Sequence, residues 1–427
     1  MSDRNQAVER IKARAGRPED EPRYIVGMDA HSRKLALSIW DWSDRWNGIV
    51  HREFKCVDIN DMVTVYERHV DLDSLTIIEE STNSASLKRK LNEAGFRAEV
   101  VRADAVAGRE GKRKVYDLQD ARNLAQAYMK GDVREFVWTP SEEHSEMRGL
   151  ALAYRDTTKD MERTSNRIWS VCSQHGFPLP IRCGVTKAAS IRELIKTLDA
   201  GKLVRKRLDM MVSDYERLMK RKKELEEMIA ETVVSHDAML RLMQLPGVYM
   251  RTAFVTHAIV EDVTRFPTAA KLVAYAGLSP SVNTSGEEEE RARAKGGTGK
   301  PLDGEGRRDL KFYFTEAGNT VINSCKTSSL GKWGWRLINR GKPKNKAACA
   351  VGHKLVTYAW HIMRGDPTPN RESEALFRRK LMKFGCELGK ERLRELGYKT
   401  RADFAEKIAA RYYDGLPPIT DKDERRQ

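Results

Sequence analysis

The chain has 427 residues, long enough for two or three domains, and its 77 Lys and Arg against 62 Asp and Glu give a formal net charge of +15 at pH 7. So large a basic excess suits a polyanionic partner, because neutralising phosphates releases their counterions. No apolar run approaches the ~18 residues a membrane-spanning helix needs, and the first twenty residues contain no signal-peptide core, so a cytoplasmic protein without a membrane partner is expected, nucleoid-associated in a prokaryote.

Residues 1–22 are polar, mixed in charge and expected to be a disordered leader. Tyr24–Asp29 then reads as a strand buried on both faces, because it is a near-continuous apolar run. The turn Ala30-His31-Ser32 leads to Lys34–Trp42, where apolar and polar residues alternate, and Gly48–Val57 reads as a third strand. A helix over Asn60–His69, a short apolar strand Leu75–Glu80, a helix over Ser84–Ala94, a strand over Arg97–Arg102 and a helix from about Tyr116 to Lys130 follow. Three strands and then alternating helix and strand is the element order of an RNase H-like fold, and also of one half of an actin-like sugar kinase.

Thr139-Pro140-Ser141-Glu142 signals a new helix, with a threonine cap, a proline at the first position and a glutamate three residues after the cap. Met147, Leu150, Tyr154, Thr157, Met161, Ser165, Ile168 and Cys172 recur at spacings of three and four. A Pro/Gly-containing break (Gly176–Gly184) and a helix near Ile191–Leu198 separate this series from a second: Leu208, Met211, Tyr215, Leu218, Lys222, Leu225, Ile229 and Thr232. Two such arms predict a helical hairpin or coiled coil. A third segment runs from Leu242 to about Arg364, and a polar stretch (Pro367–Glu374) precedes a basic amphipathic helix pair over Ala375–Tyr412.

Asp29 ends the first strand and Glu80, or its neighbour Glu79, ends the fourth; strands one and four are adjacent in a sheet of this order. Asp117 and Asp120, three apart, share a face of one helix with Ala121, Leu124, Ala125 and Tyr128. Asp117 is expected within that apolar stripe and Asp120 at its edge. Carboxylates among apolar neighbours are costly unless a cation compensates, and acids gathered at strand ends and one helix turn are what two divalent ions need to hold a phosphodiester. The six cysteines form no CxxC pair, which argues against a zinc knuckle. The nine histidines show no HxxxH or HxH spacing, so imidazole-bound metal is not expected.

Leu245-Pro246-Gly247-Val248 reads as a hairpin between two helices, in which Gly247 lets backbone amides approach a phosphate. Gly277-Leu278-Ser279-Pro280 and Asn283-Thr284-Ser285-Gly286 follow, and then the cations Arg291, Arg293, Lys295, Lys300, Arg307 and Arg308. A serine beside a glycine and ahead of clustered cations can meet a phosphate whose developing charge is stabilised. Four acids, Glu287–Glu290, intervene and read as a solvated loop.

These motifs together resemble the DEDD transposases of insertion-sequence family one hundred and ten, whose N-terminal domain is similar to the Holliday-junction resolvase RuvC. The matching residues are Gly27-Met28-Asp29 with Lys34, Glu80-Ser81-Thr82, Asp117-Leu118-Gln119-Asp120-Ala121 and, later, the Pro-Gly-Val hairpin, the Gly-Leu-x-Pro turn and Ser-Gly. The resemblance spans about residues 23–365 and selects Glu80 over Glu79; Asn83 and Tyr116 depart from the residues many members carry. It implies a metal site of Asp29, Glu80, Asp117 and Asp120, with Mg2+, two ions per site, replaceable by Mn2+. It also implies Ser285 as a nucleophile forming a phosphoserine link to double-stranded DNA at element ends and target. A structured guide RNA and a homo-oligomer, dimer or tetramer, in which the acids of one protomer work with the serine of another, are implied as well.

The expected architecture is therefore an RNase H-like (RuvC-like) α/β domain at 23–138, a helical hairpin or coiled coil at 139–236, a mostly α-helical serine domain at 237–366 and a basic helical tail at 367–427. Two other readings stay open: a RuvC-like nuclease in which water attacks, and a non-catalytic nucleic-acid-binding protein. The actin-like kinase lacks a Gly-rich phosphate loop and leaves the basic excess unexplained.

Overall fold

In the computed structural model of the chain, residues 21–42, 48–102, 117–133, 135–176, 192–193, 195–196, 200–279, 306–366 and 371–414 are described. They form two compact units that part between Ser141 and Glu142.

The first unit is a five-stranded mixed sheet, β1 (Tyr24–Ala30), β2 (Lys34–Asp41), β3 (Ile49–Asp58), β4 (Ser74–Glu79) and β5 (Arg97–Val101), with spatial order β3-β2-β1-β4-β5. β1 pairs antiparallel with β2, and β2 with β3. On the other side β1 pairs parallel with β4, and β4 with β5, so each of these links needs a crossover helix. Helices α1 (Met62–His69) and α2 (Ser84–Glu93) lie between these strands in sequence, and α3 (Asp117–Lys130) follows β5. Strand periodicity sorts the core into two layers. Val26, Met28 and Ile78 pack with Met62, Tyr66, Leu87 and Leu91 of α1 and α2. Ile25, Leu75 and Ile77 pack with Leu124, Ala125 and Tyr128 of α3. β1 and β4 are buried on both faces, as their apolar runs predict, whereas β3 is an edge strand with His51, Arg52 and Lys55 largely facing solvent.

The second unit is helical. Its long arms α4 (Glu142–Gln174) and α5 (Lys202–Ser235) pack against each other. Every residue of both 3-4 series is buried or half-buried, from Met147 to Cys172 and from Leu208 to Thr232. One end of the pair has its own small core of Ile168, Val171, Cys172, Leu208, Val212 and Tyr215. The other end, through Met147, Tyr154, Ile229 and Val233, joins the main core. That core continues through α6 (Asp237–Leu242), α7 (Met250–Val260), α8 (Ala269–Tyr275), α9 (Arg308–Ser324), α10 (Ser329–Asn339), α11 (Lys344–Met363), α12 (Glu374–Glu395) and α13 (Arg401–Tyr413).

The structure groups the expected hairpin, serine segment and tail into one compact unit. Hairpin, central segment and tail share one hydrophobic cluster, to which the tail contributes Phe377, Leu381, Phe384, Phe404 and Ile408. A helical period shows that a face must be buried but not what buries it, so it could not show that the tail completes the same core. No helix among the described residues is long and apolar enough to cross a membrane.

Candidate metal centre and nucleic-acid interface

β1 ends at the centre of the sheet, and what lies above its end is decided by Gly27. A Cβ built there would stand 1.7 Å from the carbonyl oxygen of Ala121 and 3.1 Å from the amide nitrogen of Ala125. The backbone of α3 thus rests directly on the strand, which only glycine permits. Arg122 locks the helix laterally, donating to both carboxylate oxygens of Glu53 on β3 at 2.5 Å. Ser38 adds a hydrogen bond to Glu53 at 2.9 Å. With α3 so placed, its first turn, carrying Asp117 and Asp120, lies over the strand end that carries Asp29.

The resulting cluster is Asp29, His31 and Asp117, whose donor atoms all lie within 4.8 Å of one another. The Nε2 of His31 is 3.6 Å from Oδ2 of Asp29 and 3.4 Å from Oδ1 of Asp117. Asp29 is half-buried, and burial pushes its carboxyl above the usual carboxylate range. The positive potential of His31 opposes this, while the negative charges of Glu79, Asp120 and Asp117 add to it. Asp117 is exposed and Asp120 half-buried, the reverse of the order expected from the helical wheel. The wheel gives azimuth alone, and at the first turn of α3 the helix end opens the Asp117 side to solvent.

The charge of Glu79 is among those that raise the carboxyl of Asp29. Ile77 lies in the α3 layer and Ile78 in the opposite one, so alternation puts Glu79 on the Asp29 side. Glu80 continues the extended chain, donating its amide to the carbonyl of Val101 at 2.8 Å, and its side chain is exposed. His31 is the other residue that sequence reasoning did not place here. Its signal was available as an Asp-x-His spacing in a tight turn rather than a His-His spacing. Asn83 donates from Nδ2 to the carbonyl of His31 at 2.9 Å, and Ser81 donates to Asn83 at 2.8 Å. The departure from glycine at residue 83 thus ties the segment after β4 to the turn that carries His31.

In the second unit Gly247 packs closely against α9. Its φ is +74°, a conformation that favours glycine, and a Cβ there would stand 2.4 Å from the carbonyl oxygen of Ala317. Its amide is directed at Glu372, whose carboxylate it helps to hold against the cost of burial. The Pro-Gly-Val turn is thus a packing element in this structure. Lys380 completes it: its ammonium donates to the carbonyls of Met243, Leu245 and Val248 at 3.0, 2.7 and 3.0 Å and stands 2.9 Å from Oε2 of Glu372.

Ser285, Arg291, Arg293, Lys295 and Lys300 lie outside the described residues, as do Glu287–Glu290. The chain on either side of that segment is anchored: the amide of Arg307 donates to the carbonyl of Tyr275 at 2.7 Å, and Nδ1 of His353 lies 3.3 Å from the carbonyl of Leu278. Arg307 is half-buried and lines a cleft of about 350 Å³ with Arg148, Arg155 and Tyr313. Arg155 is engaged there by Asp309 at 2.6 Å. Arg308 is exposed at the start of α9.

Residues 239–329, which include the Pro-Gly-Val turn and Ser285, match the family model described as the transposase IS116/IS110/IS902 family. Over 154 residues the chain is 35% identical to the insertion element IS110 uncharacterized 43.6 kDa protein of Streptomyces coelicolor, an alignment covering 36% of each chain. Over 257 residues it is 23% identical to the transposase for insertion sequence element IS1111A of Coxiella burnetii, covering 59% of this chain and 67% of that one. The aligned region thus spans about a third of the first relative (36%) and about two-thirds of the second (67%). Over residues 239–329 the chain is thus similar to the IS116/IS110/IS902 family of transposases.

Proposed function

We propose that this protein cuts and rejoins DNA at an insertion element, with a metal-carboxylate site in the first unit and Ser285 of the second as nucleophile. The observation that carries the reading is the meeting of Asp29 and Asp117, from β1 and α3, on one point beside His31. The sheet order β3-β2-β1-β4-β5, antiparallel through β3, β2 and β1 and parallel through β4 and β5, supports an RNase H-like, RuvC-like fold for this unit.

The residues present fit a hard divalent cation. Three carboxylates crowd a half-buried acid whose anionic form is disfavoured by burial and by like charge, and a cation reverses both effects. Asp29, Asp117 and Asp120 would hold Mg2+ or Mn2+, with a glutamate from the end of β4; Glu80 is the one the resemblance implies and Glu79 the one on the right face. The ion, when bound, supplies Lewis-acid stabilisation of the charge that develops on the phosphate.

The chain's own residues do the rest. The Oγ of Ser285 gives up its proton and bonds to phosphorus as the P–O ester bond of the DNA breaks and the departing deoxyribose oxygen takes a proton, so the bond energy is kept in a phosphoserine and is available for rejoining. Arg307 and Arg308, with the cations that precede them in sequence, hold the phosphate backbone. A structured guide RNA, an oligomeric assembly and a cytoplasmic location belong to the same proposal, supported by the resemblance and the basic excess.

A second reading is favoured by one observation. His31 stands beside Asp29 and Asp117, where an imidazole can take a proton from water, as a hydrolytic nuclease needs. One experiment separates the two: incubation with element-end DNA, denaturation, and detection of protein covalently attached to DNA. The proposal expects an adduct that Ser285→Ala abolishes while DNA binding persists, and that Asp29→Asn also abolishes. Cleavage without an adduct, undiminished in Ser285→Ala, would replace it with the nuclease.

A further inference from the structure

Away from the acid cluster, three histidines far apart in sequence meet in the second unit. His144 lies in the first turn of α4, His236 at the junction of α5 and α6, and His257 on α7. The ring of His257 is 5.2 Å from that of His144 and 5.3 Å from that of His236, centre to centre. Imidazoles that share a tetrahedral ion through bonds of ~2.0–2.1 Å stand roughly 5 Å apart.

The outer partners set the tautomers as they would for metal ligation. Nδ1 of His236 is 2.7 Å from the carbonyl of Thr232, an acceptor only, so this nitrogen carries a proton, and an ion at Nε2 would take the place of the proton that Nε2 shares with Glu143. That Nε2 is 3.1 Å from a carboxylate oxygen of Glu143. Nδ1 of His144 lies 3.6 Å from the carboxylate of Glu261, and its Nε2 is buried. Nδ1 of His257 is buried and makes no hydrogen bond. A ring nitrogen oriented by a carboxylate or a backbone carbonyl is a feature of imidazole metal sites. Glu261 holds φ at +58° and ψ at −90°, the one left-handed non-glycine residue among those described, and strain of this kind gathers at binding sites.

We infer that His144, His236 and His257, with the carboxylate of Glu143, form a site for a transition-metal ion of the zinc class. Nitrogen donors distinguish it from the oxygen-rich cluster of the first unit. The donors are not drawn together as tightly as those of Asp29, His31 and Asp117, so binding brings the rings closer by side-chain rotation. Burial and the two neighbouring rings push His257 down to about 4, which keeps its imidazole neutral and able to ligate at neutral pH. The ion would pin the start of α4 to the end of α5 and to α7, where the hairpin meets the main core.

Titration of the full chain with Co2+, read by visible absorption, tests the site, because four-coordinate cobalt absorbs far more strongly than six-coordinate. The expected result is one four-coordinate Co2+ per chain, displaced by Zn2+ and unchanged in the double variant Asp29→Asn/Asp117→Asn. His236→Ala, at a partly exposed position, should weaken binding by about a hundredfold or more, and Glu261→Gln, which removes an outer partner, by about ten- to a hundredfold. Circular dichroism of each variant confirms that the helices persist. Absence of a four-coordinate spectrum, its survival in His236→Ala, or its loss with the Asp29/Asp117 pair would each overturn the inference. None of these outcomes depends on the DNA chemistry.

Discussion

Asp29 carries its charge against burial and against three neighbouring acids, so its surroundings favour an ion more than they favour an empty site. The same crowding distinguishes two adjacent glutamates. Alternation along β4 turns Glu79 toward α3 and Glu80 away from it, and a shift of one residue in a strand exchanges the faces. Affinity for Mn2+, measured by calorimetry, is expected to fall about ten- to a hundredfold in Glu79→Gln and to change little in Glu80→Gln. The opposite order would return the role to Glu80. At this scale the sequence made Asp29, Asp117 and Asp120 legible, because a strand end and an i, i+3 spacing both have fixed directions. It did not separate Glu79 from Glu80, since the residue at which a strand stops is set by its neighbours. His31 stayed hidden because it enters the cluster from a turn, where no period applies.

Gly27 shows how an element is placed by the absence of a side chain. Its would-be Cβ overlaps the backbone of Ala121 rather than a movable side chain, so Gly27→Ala must displace α3. The expected cost is about 1–3 kcal/mol of stability, together with a loss of Mn2+ affinity as Asp117 and Asp120 move off Asp29. Denaturant unfolding and calorimetry read the two effects; an alanine variant with unchanged affinity would show that α3 does not set the site.

The buried pair Lys380–Glu372 has the same role in the second unit. Burial pulls the lysine ammonium down and the glutamate carboxyl up from their usual ranges, and each charge restores the other in part. Lys380→Met strands a buried carboxylate and leaves three carbonyls without their donor, so a loss of about 3–5 kcal/mol is expected. Adding Glu372→Gln should recover part of that loss, and strict additivity of the two variants would contradict the coupling. The helical periods of α4 and α5 were readable in the sequence, and so was the basic helix pair at the C-terminal end. The Glu372–Lys380 lock was not, because its carbonyl partners lie more than a hundred residues away.

For the whole molecule, the charge of +15 predicts binding that weakens steeply with salt. Each phosphate contact contributes about −0.9 to the slope of log affinity against log salt on B-DNA. A slope steeper than about −3 is expected from filter or fluorescence titration with element-end DNA, and a slope near zero would point to a partner other than nucleic acid. Composition gave this much, and the motif order gave the resemblance. The partition into two units was not readable, because the tail and the hairpin disclose their common core through contacts between segments hundreds of residues apart in the chain.

The central claim is that the end of β1 and the first turn of α3 build a cation site. Its most direct test is the location of Mn2+ by anomalous scattering from crystals of the protein soaked in the ion. Density is expected between the carboxylates of Asp29 and Asp117, lost in Asp29→Asn. Ordered Mn2+ elsewhere on the chain with none between these two residues would contradict it.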